Sequence, residues 1–158
     1  MKKIVIFGIG LIGGSIALKV KQKKLYGQVT GVGRDGGSSL KKLVSKGMLD
    51  SASENLMEDI NAAEIIIIAT PVAKTKKILG SIYPYLRKNT VITDVGSTKT
   101  NVMHDASEVL KEKSQQFIGS HPIAGSEKHG PNAAISDLFE NKDIVVTPHS
   151  KSPKEFIT

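Results

Sequence analysis

The six residues "GIGLIG", Gly8 to Gly13, constrain this chain more than any other stretch. They follow a short β-branched run, "KIVIF" (Lys3 to Phe7), and open the amphipathic segment "LIGGSIALKVKQKK". A G-x-G-x-x-G between a strand and a helix has a physical rationale at each glycine. Gly8 permits the tight turn, Gly10 lets the backbone approach a pyrophosphate, and Gly13 lets the helix pack close to the strand. Leu11 and Ile12 complete the loop at the helix N-terminus, where free N–H groups and the helix dipole favour an anion. The expected ligand is therefore a dinucleotide, with Gly8, Gly10, Leu11, Ile12 and Gly13 as its phosphate-side contacts.

The rest of the chain repeats the strand-then-helix alternation. Strands are expected at Gln28 to Gly33, Glu64 to Thr70, Thr90 to Gly96, "QFIGS" and "DIVVTP". Helices are expected over "SSLKKLVSKG", "VAKTKKILGSIYPYL" with a break near Pro84, "TKTNVMHDASEVLKEK" and "NAAISDLF". That order predicts an α/β fold: a Rossmann-type, doubly wound, mostly parallel sheet with helices on both faces. The continuous apolar run "EIIIIAT" suits a strand covered on both sides. In such sheets ligands bind beyond the carboxyl ends of the strands. Five loops should then line one crevice: Gly8 to Gly13, Gly33 to Ser39, Thr70 to Val72, Asp94 to Lys99, and Ser120 to Gly130.

The 158 residues suit one domain, assigned to 1–150, with 151–158 as the start of a connection. With no cysteine, disulfides and thiolate chemistry are excluded, which is compatible with a cytoplasmic location. The longest apolar run, "IIIIA", is far too short to span a bilayer. The net charge is +7, with lysines grouped in "KVKQKKL". Lacking interleaved aromatics or a nucleic-acid motif, that group reads as the solvated end of a helix, and no nucleic-acid partner is expected.

The remaining crevice loops carry the chemistry. An NAD site usually has an acid about 20 residues after the glycine loop, bonding the ribose 2′-OH. Here Gly33 stands at that place and Arg34 follows it. A guanidinium suits a 2′-phosphate, with Ser38 and Ser39 as extra donors, so NADP is preferred over NAD. Asp35 would supply the acid if the strand ended two residues later. Thr70 and Pro71 would back the nicotinamide ribose, or simply make a turn in which Pro71 opens a helix. Asp94 could hold backbone amides in "DVGSTK", and Ser97 is either a site residue or an N-cap. His121, followed by Pro122, should sit in a loop after its strand. Its proton state changes near neutral pH, so it suits removal of a hydroxyl proton during hydride transfer. His121 and His129 share a loop without a third ligand at usable spacing, so no metal site is expected.

Together, "FGIGLIGGSIA", "ATPV", "DVGSTK" and "GSHPIAGSEKHG" resemble the nucleotide-binding half of the prephenate dehydrogenase and arogenate dehydrogenase family over nearly the whole chain. The resemblance implies an enzyme of tyrosine biosynthesis that oxidatively decarboxylates prephenate or arogenate with NADP or NAD. It implies that His121 accepts the hydrogen bond of the substrate hydroxyl and that Ser97 orients it. It places Ser126 and Glu127 at the substrate pocket. It further implies a helical domain beyond Thr158 that forms a homodimer and binds the substrate carboxylates, so that 1–158 alone would be inactive. Two other readings remain: an NADP-dependent dehydrogenase of the β-hydroxyacid type, or a non-catalytic nucleotide-binding regulatory module.

Overall fold

A computed structural model describes residues 2–33 and 38–157, the side chain of Ser38 excepted. Arg34 and Asp35, on which the NADP-versus-NAD expectation turns, lie outside the described residues.

Strands β1 (Lys3–Phe7), β2 (Gln28–Val32), β3 (Ser51–Ala52), β4 (Ile65–Ile68), β5 (Val91–Asp94), β6 (Phe117–Pro122) and β7 (Ile144–Pro148) form one sheet in the order β3-β2-β1-β4-β5-β6-β7. Every pairing is parallel except β6 with β7. The order reverses between β1 and β4, so the loops after these two strands diverge to opposite faces and open a crevice between them. The helices are α1 (Leu11–Gln22), α2 (Lys41–Ser45), α3 (Leu56–Ala62), α4 (Thr75–Ile82) and α5 (Thr100–Leu110).

Strand periodicity explains why both faces are covered. Along β1, Val5 and Phe7 enter one apolar cluster while Ile4 and Ile6 enter the other. The first cluster takes Ile66 and Ile68 of β4, Ile92 of β5 and Phe117 of β6, closed by Leu79 and Ile82 of α4 and Val102, Ala106 and Leu110 of α5. The second takes Val29 and Ile67 with Ala17 and Val20 of α1 and Leu43 of α2. Each such isoleucine or leucine contributes about 1.5–3 kcal/mol when fully buried.

Four local expectations need correction. A two-residue strand, β3, and helix α3, capped by Asn55 accepting from the Glu58 N–H, arise in a stretch to which no element had been assigned. "NAAISDLF" is not a helix: only a single 3₁₀ turn, Pro131–Ala133, forms, followed by turns. The segment is instead tied back to α1, where the buried Ser15 Oγ accepts the Ile135 N–H at 3.0 Å. A Cβ on Gly14 would lie 2.8 Å from that of Ala134. Pro71 is the cap before a 3₁₀ turn, Val72–Lys74, rather than the first residue of a helix. His121 is a strand residue, because antiparallel pairing with β7 carries β6 through to Pro122, with His121 opposite Val145.

Candidate functional site

The glycine loop is built as the sequence predicts. Gly8 has φ +85°, and a Cβ there would sit 2.7 Å from the Ala69 carbonyl oxygen. A Cβ on Gly13 would sit 2.1 Å from the Gly8 carbonyl oxygen, so α1 can approach β1 only without a side chain at that point. Gly10 is different: a Cβ there would meet nothing within 4 Å. It faces open space at the N-terminus of α1, where no side chain caps the helix and no acidic residue stands in the first turn. Those are the conditions an anion requires.

Thr70 adds a second sign of a ligand. Its Oγ1 is buried and has no hydrogen-bond partner, while its methyl lies 2.9 Å from where a Gly8 Cβ would stand. Buried hydroxyls without partners are uncommon in native proteins, and this one borders the cradle. The residues therefore fit a bound dinucleotide: Gly8 to Gly13 lie at the N-terminus of α1, and Thr70 and Pro71 follow β4 across the switch point.

Ser97 and His121 emerge from the carboxyl ends of the neighbouring strands β5 and β6. Ser97 is exposed and lies two residues before Lys99, which occupies the cap position of α5 without a side-chain cap bond. Ser97 is thus not an N-cap, and its hydroxyl is free. His121 is partly buried, and no hydrogen bond joins it to Ser97. The buried carboxylate of Asp94 bonds the backbone of the residue that precedes each of them. Its Oδ2 accepts the Gly96 N–H at 2.9 Å and also bonds the Lys99 ammonium. Its Oδ1 accepts the Ser120 N–H at 3.2 Å.

The position of Pro122 follows from the same edge of β6. The Ser120 N–H points toward β5, and the next N–H on that edge would belong to residue 122. By then β5 has ended, so proline forfeits no ladder bond. Ile123 N–H, on the other edge, continues to the Asp143 carbonyl at 2.8 Å.

Ser126 and Glu127 lie in the exposed part of the loop, where Ser126 Oγ accepts the Lys128 N–H at 3.1 Å. His104, Asp105 and Glu108 bring ligand-type atoms within 4.8 Å of one another on the outer side of α5. The Lys76 ammonium already serves that group, at 2.8 Å from Glu108 and 3.8 Å from Asp105. Of the lysines in "KVKQKKL", Lys19 and Lys21 of α1 pair with Glu140 and Asp50, and Lys23 and Lys24 are exposed just beyond the helix.

A family model described as the nucleotide-binding domain of prephenate dehydrogenase matches residues 16–158. Prephenate dehydrogenase of Lactococcus lactis subsp. cremoris is 38% identical over 158 residues, 99% of this chain and 44% of that protein. Prephenate dehydrogenase of Bacillus subtilis is 37% identical over 155 residues, 98% of this chain and 41% of that protein. Among solved structures, prephenate dehydrogenase from Aquifex aeolicus in complex with hydroxyphenyl propionate and NAD+ superposes with a TM-score of 0.88 at 27% identity, covering 99% of this chain and 54% of that one. Arogenate dehydrogenase from Synechocystis superposes with a TM-score of 0.86 at 33% identity, covering 98% and 53%. The chain thus spans less than half the length of the two curated relatives.

Proposed function

Since the chain belongs to the prephenate dehydrogenase family, matching the model of its nucleotide-binding domain over 16–158, we propose that it binds NAD or NADP and carries the proton-handling half of a prephenate or arogenate dehydrogenase. The observation that carries this reading is the Gly10 cradle at the switch point, with Ser97 and His121 at the ends of the next two strands.

In this reading the substrate's hydroxyl-bearing ring carbon gives up hydride, the carboxylate on the other saturated ring carbon leaves as CO2, and the electrons of the broken C–C bond complete an aromatic ring. Bound NAD or NADP supplies the hydride acceptor. His121, through a neutral imidazole nitrogen, holds the hydroxyl proton while carbonyl character develops at that carbon. Ser97 orients the imidazole and the hydroxyl. Ser126 and Glu127 stand at the pocket entrance. NADP is the preferred cofactor, because Gly33 offers no acid to a ribose diol and Arg34 follows it. The NAD+ in the Aquifex aeolicus complex belongs to a relative of 27% identity. Residues 1–150 are the NAD(P)-binding unit and 151–158 lead toward a helical domain that forms the homodimer. A cytoplasmic location goes with the same reading; no helix among the described residues is long and apolar enough to cross a membrane.

His121→Asn in the intact protein tests the chemistry. We expect kcat to fall by roughly 10²–10⁴, with cofactor affinity nearly unchanged. Near-normal turnover would remove His121 from the reaction. Titrating NAD and NADP into the unmodified chain tests the cofactor: tighter NAD binding would reject the Arg34 assignment and favour Asp35.

A further inference from the structure

We propose that Asp94 is the positioning residue of this site: one buried carboxylate sets the spacing between the backbone that carries Ser97 and the backbone that carries His121. The inference rests on the reading of Ser97 and His121 as the catalytic pair. The ladder between β5 and β6 is short, with only Ile92 opposite Phe117 and Thr93 opposite Ile118. Beyond Ile118 no backbone pairing ties β6 to β5, yet Ser97 and His121 both lie beyond that point.

Asp94 supplies the missing link. Oδ2 accepts the N–H of Gly96, the residue immediately before Ser97, and Oδ1 accepts the N–H of Ser120, the residue immediately before His121. A third bond runs from Ser120 Oγ to the Asp94 carbonyl at 2.6 Å, and the Thr93 and Ser120 hydroxyls lie 3.1 Å apart. An Asp bonding an amide two residues on is a common local turn. The bond across to Ser120 goes further, because it fixes one strand end against the other.

The surroundings are fitted to this carboxylate. Asp94 is 1% exposed, and a charge so buried requires a partner, which the Lys99 ammonium provides. A Cβ on Gly96 would lie 2.6 Å from Val72 Cγ2 and 3.0 Å from Asp94 Oδ2. A Cβ on Gly119 would lie 3.1 Å from Lys99 Cδ. Both glycines leave room for the pair to reach the amides. A misplacement of about 1 Å between reacting groups costs on the order of 10²-fold in rate, so the link has a catalytic consequence.

The test is a double-mutant cycle in the intact protein. Asp94→Asn should lower kcat by about 10- to 100-fold and leave the cofactor KM within about threefold. In a His121→Asn background the same substitution should cost less than about threefold, because a residue acting through His121 has nothing left to position. Amide proton resonances of Gly96 and Ser120 should move together in Asp94→Asn. Equal losses in both backgrounds would mean a general structural defect and overturn the proposal, as would unchanged kcat in Asp94→Asn. Wild-type turnover in His121→Asn alone would overturn the catalytic reading, and the positioning role with it. If Asp94→Asn does not fold, Asp94→Glu replaces it in the cycle. That substitution keeps a charge for Lys99 but moves the carboxylate by one methylene, and additivity with His121→Asn would again reject the proposal.

Discussion

Gly13 and Gly80 show how differently two helical glycines are used. A methyl on Gly13 would strike the Gly8 carbonyl oxygen, which belongs to the turn it serves and cannot retreat without dragging β1. Gly13→Ala should therefore cost about 1–3 kcal/mol through overpacking and weaken nucleotide binding with it. Thermal unfolding and calorimetric titration on the same sample would check both. A methyl on Gly80, in the exposed run of α4, meets nothing within 4 Å. Gly80→Ala should raise stability by about 0.5–1 kcal/mol and leave nucleotide affinity alone. The glycine loop was legible in the sequence because each of its glycines answers a local need. The bond from Asp94 to Ser120 was not, since it depends on where the β5–β6 ladder stops. The bond from Asp94 to Gly96, two residues away, was anticipated. Nor could the sequence indicate that Thr70 Oγ1 would be left without a partner.

Elements repeat the same division between local and distant causes. The β-branched runs became strands, and "SSLKKLVSKG" became a 3₁₀ turn and α2, followed by Gly47 at φ +74°. "NAAISDLF" failed as a helix because its fate is decided 120 residues away, at Ser15. Gly130 at φ +82° and Pro131 start a turn there, and the Ile135 amide goes to Ser15 Oγ instead of to its own segment. Ser15→Ala should cost about 1 kcal/mol and speed hydrogen exchange at Ile135, with little change at Ser120. The Glu140 end of the same connection is set by charge. Lys19 beside Glu140 holds its carboxyl below the ordinary carboxylate value. A depressed folded-state value means that the contact is in place at neutral pH and is lost as pH falls through it. After correction for intrinsic rates, exchange at Ile135 should therefore rise on acidification more steeply in the parent than in Glu140→Gln.

At the scale of the whole molecule, the described residues hold the cofactor side of the crevice more completely than the substrate side. The cradle at Gly10, the unpartnered Thr70 hydroxyl and the switch point between β1 and β4 all lie on that side. Prephenate, by contrast, carries two carboxylates, and fixing them calls for charge-assisted, ideally bidentate donors. The one arginine among the described residues, Arg87, lies in the connection leading into β5, at the end of the strand opposite the crevice. Lys99, the cation nearest Ser97 in sequence, is committed to Asp94. Beyond His121 the apolar side chains of Ile144, Val145 and Val146 on β7 are about half exposed, so the sheet is not enclosed on that side. The expectation is that residues 1–158, purified alone, bind NADP or NAD but turn prephenate over negligibly. Loss of orientation and of charge pairing act together and remove several orders of magnitude in rate. Calorimetric titration of the cofactor and absorbance of the reduced cofactor with prephenate, on one preparation, decide the matter. Turnover comparable to that of the longer relatives would show that the crevice as described already binds both carboxylates, and would assign that work to lysines such as Lys128 in the Ser120 to Gly130 loop.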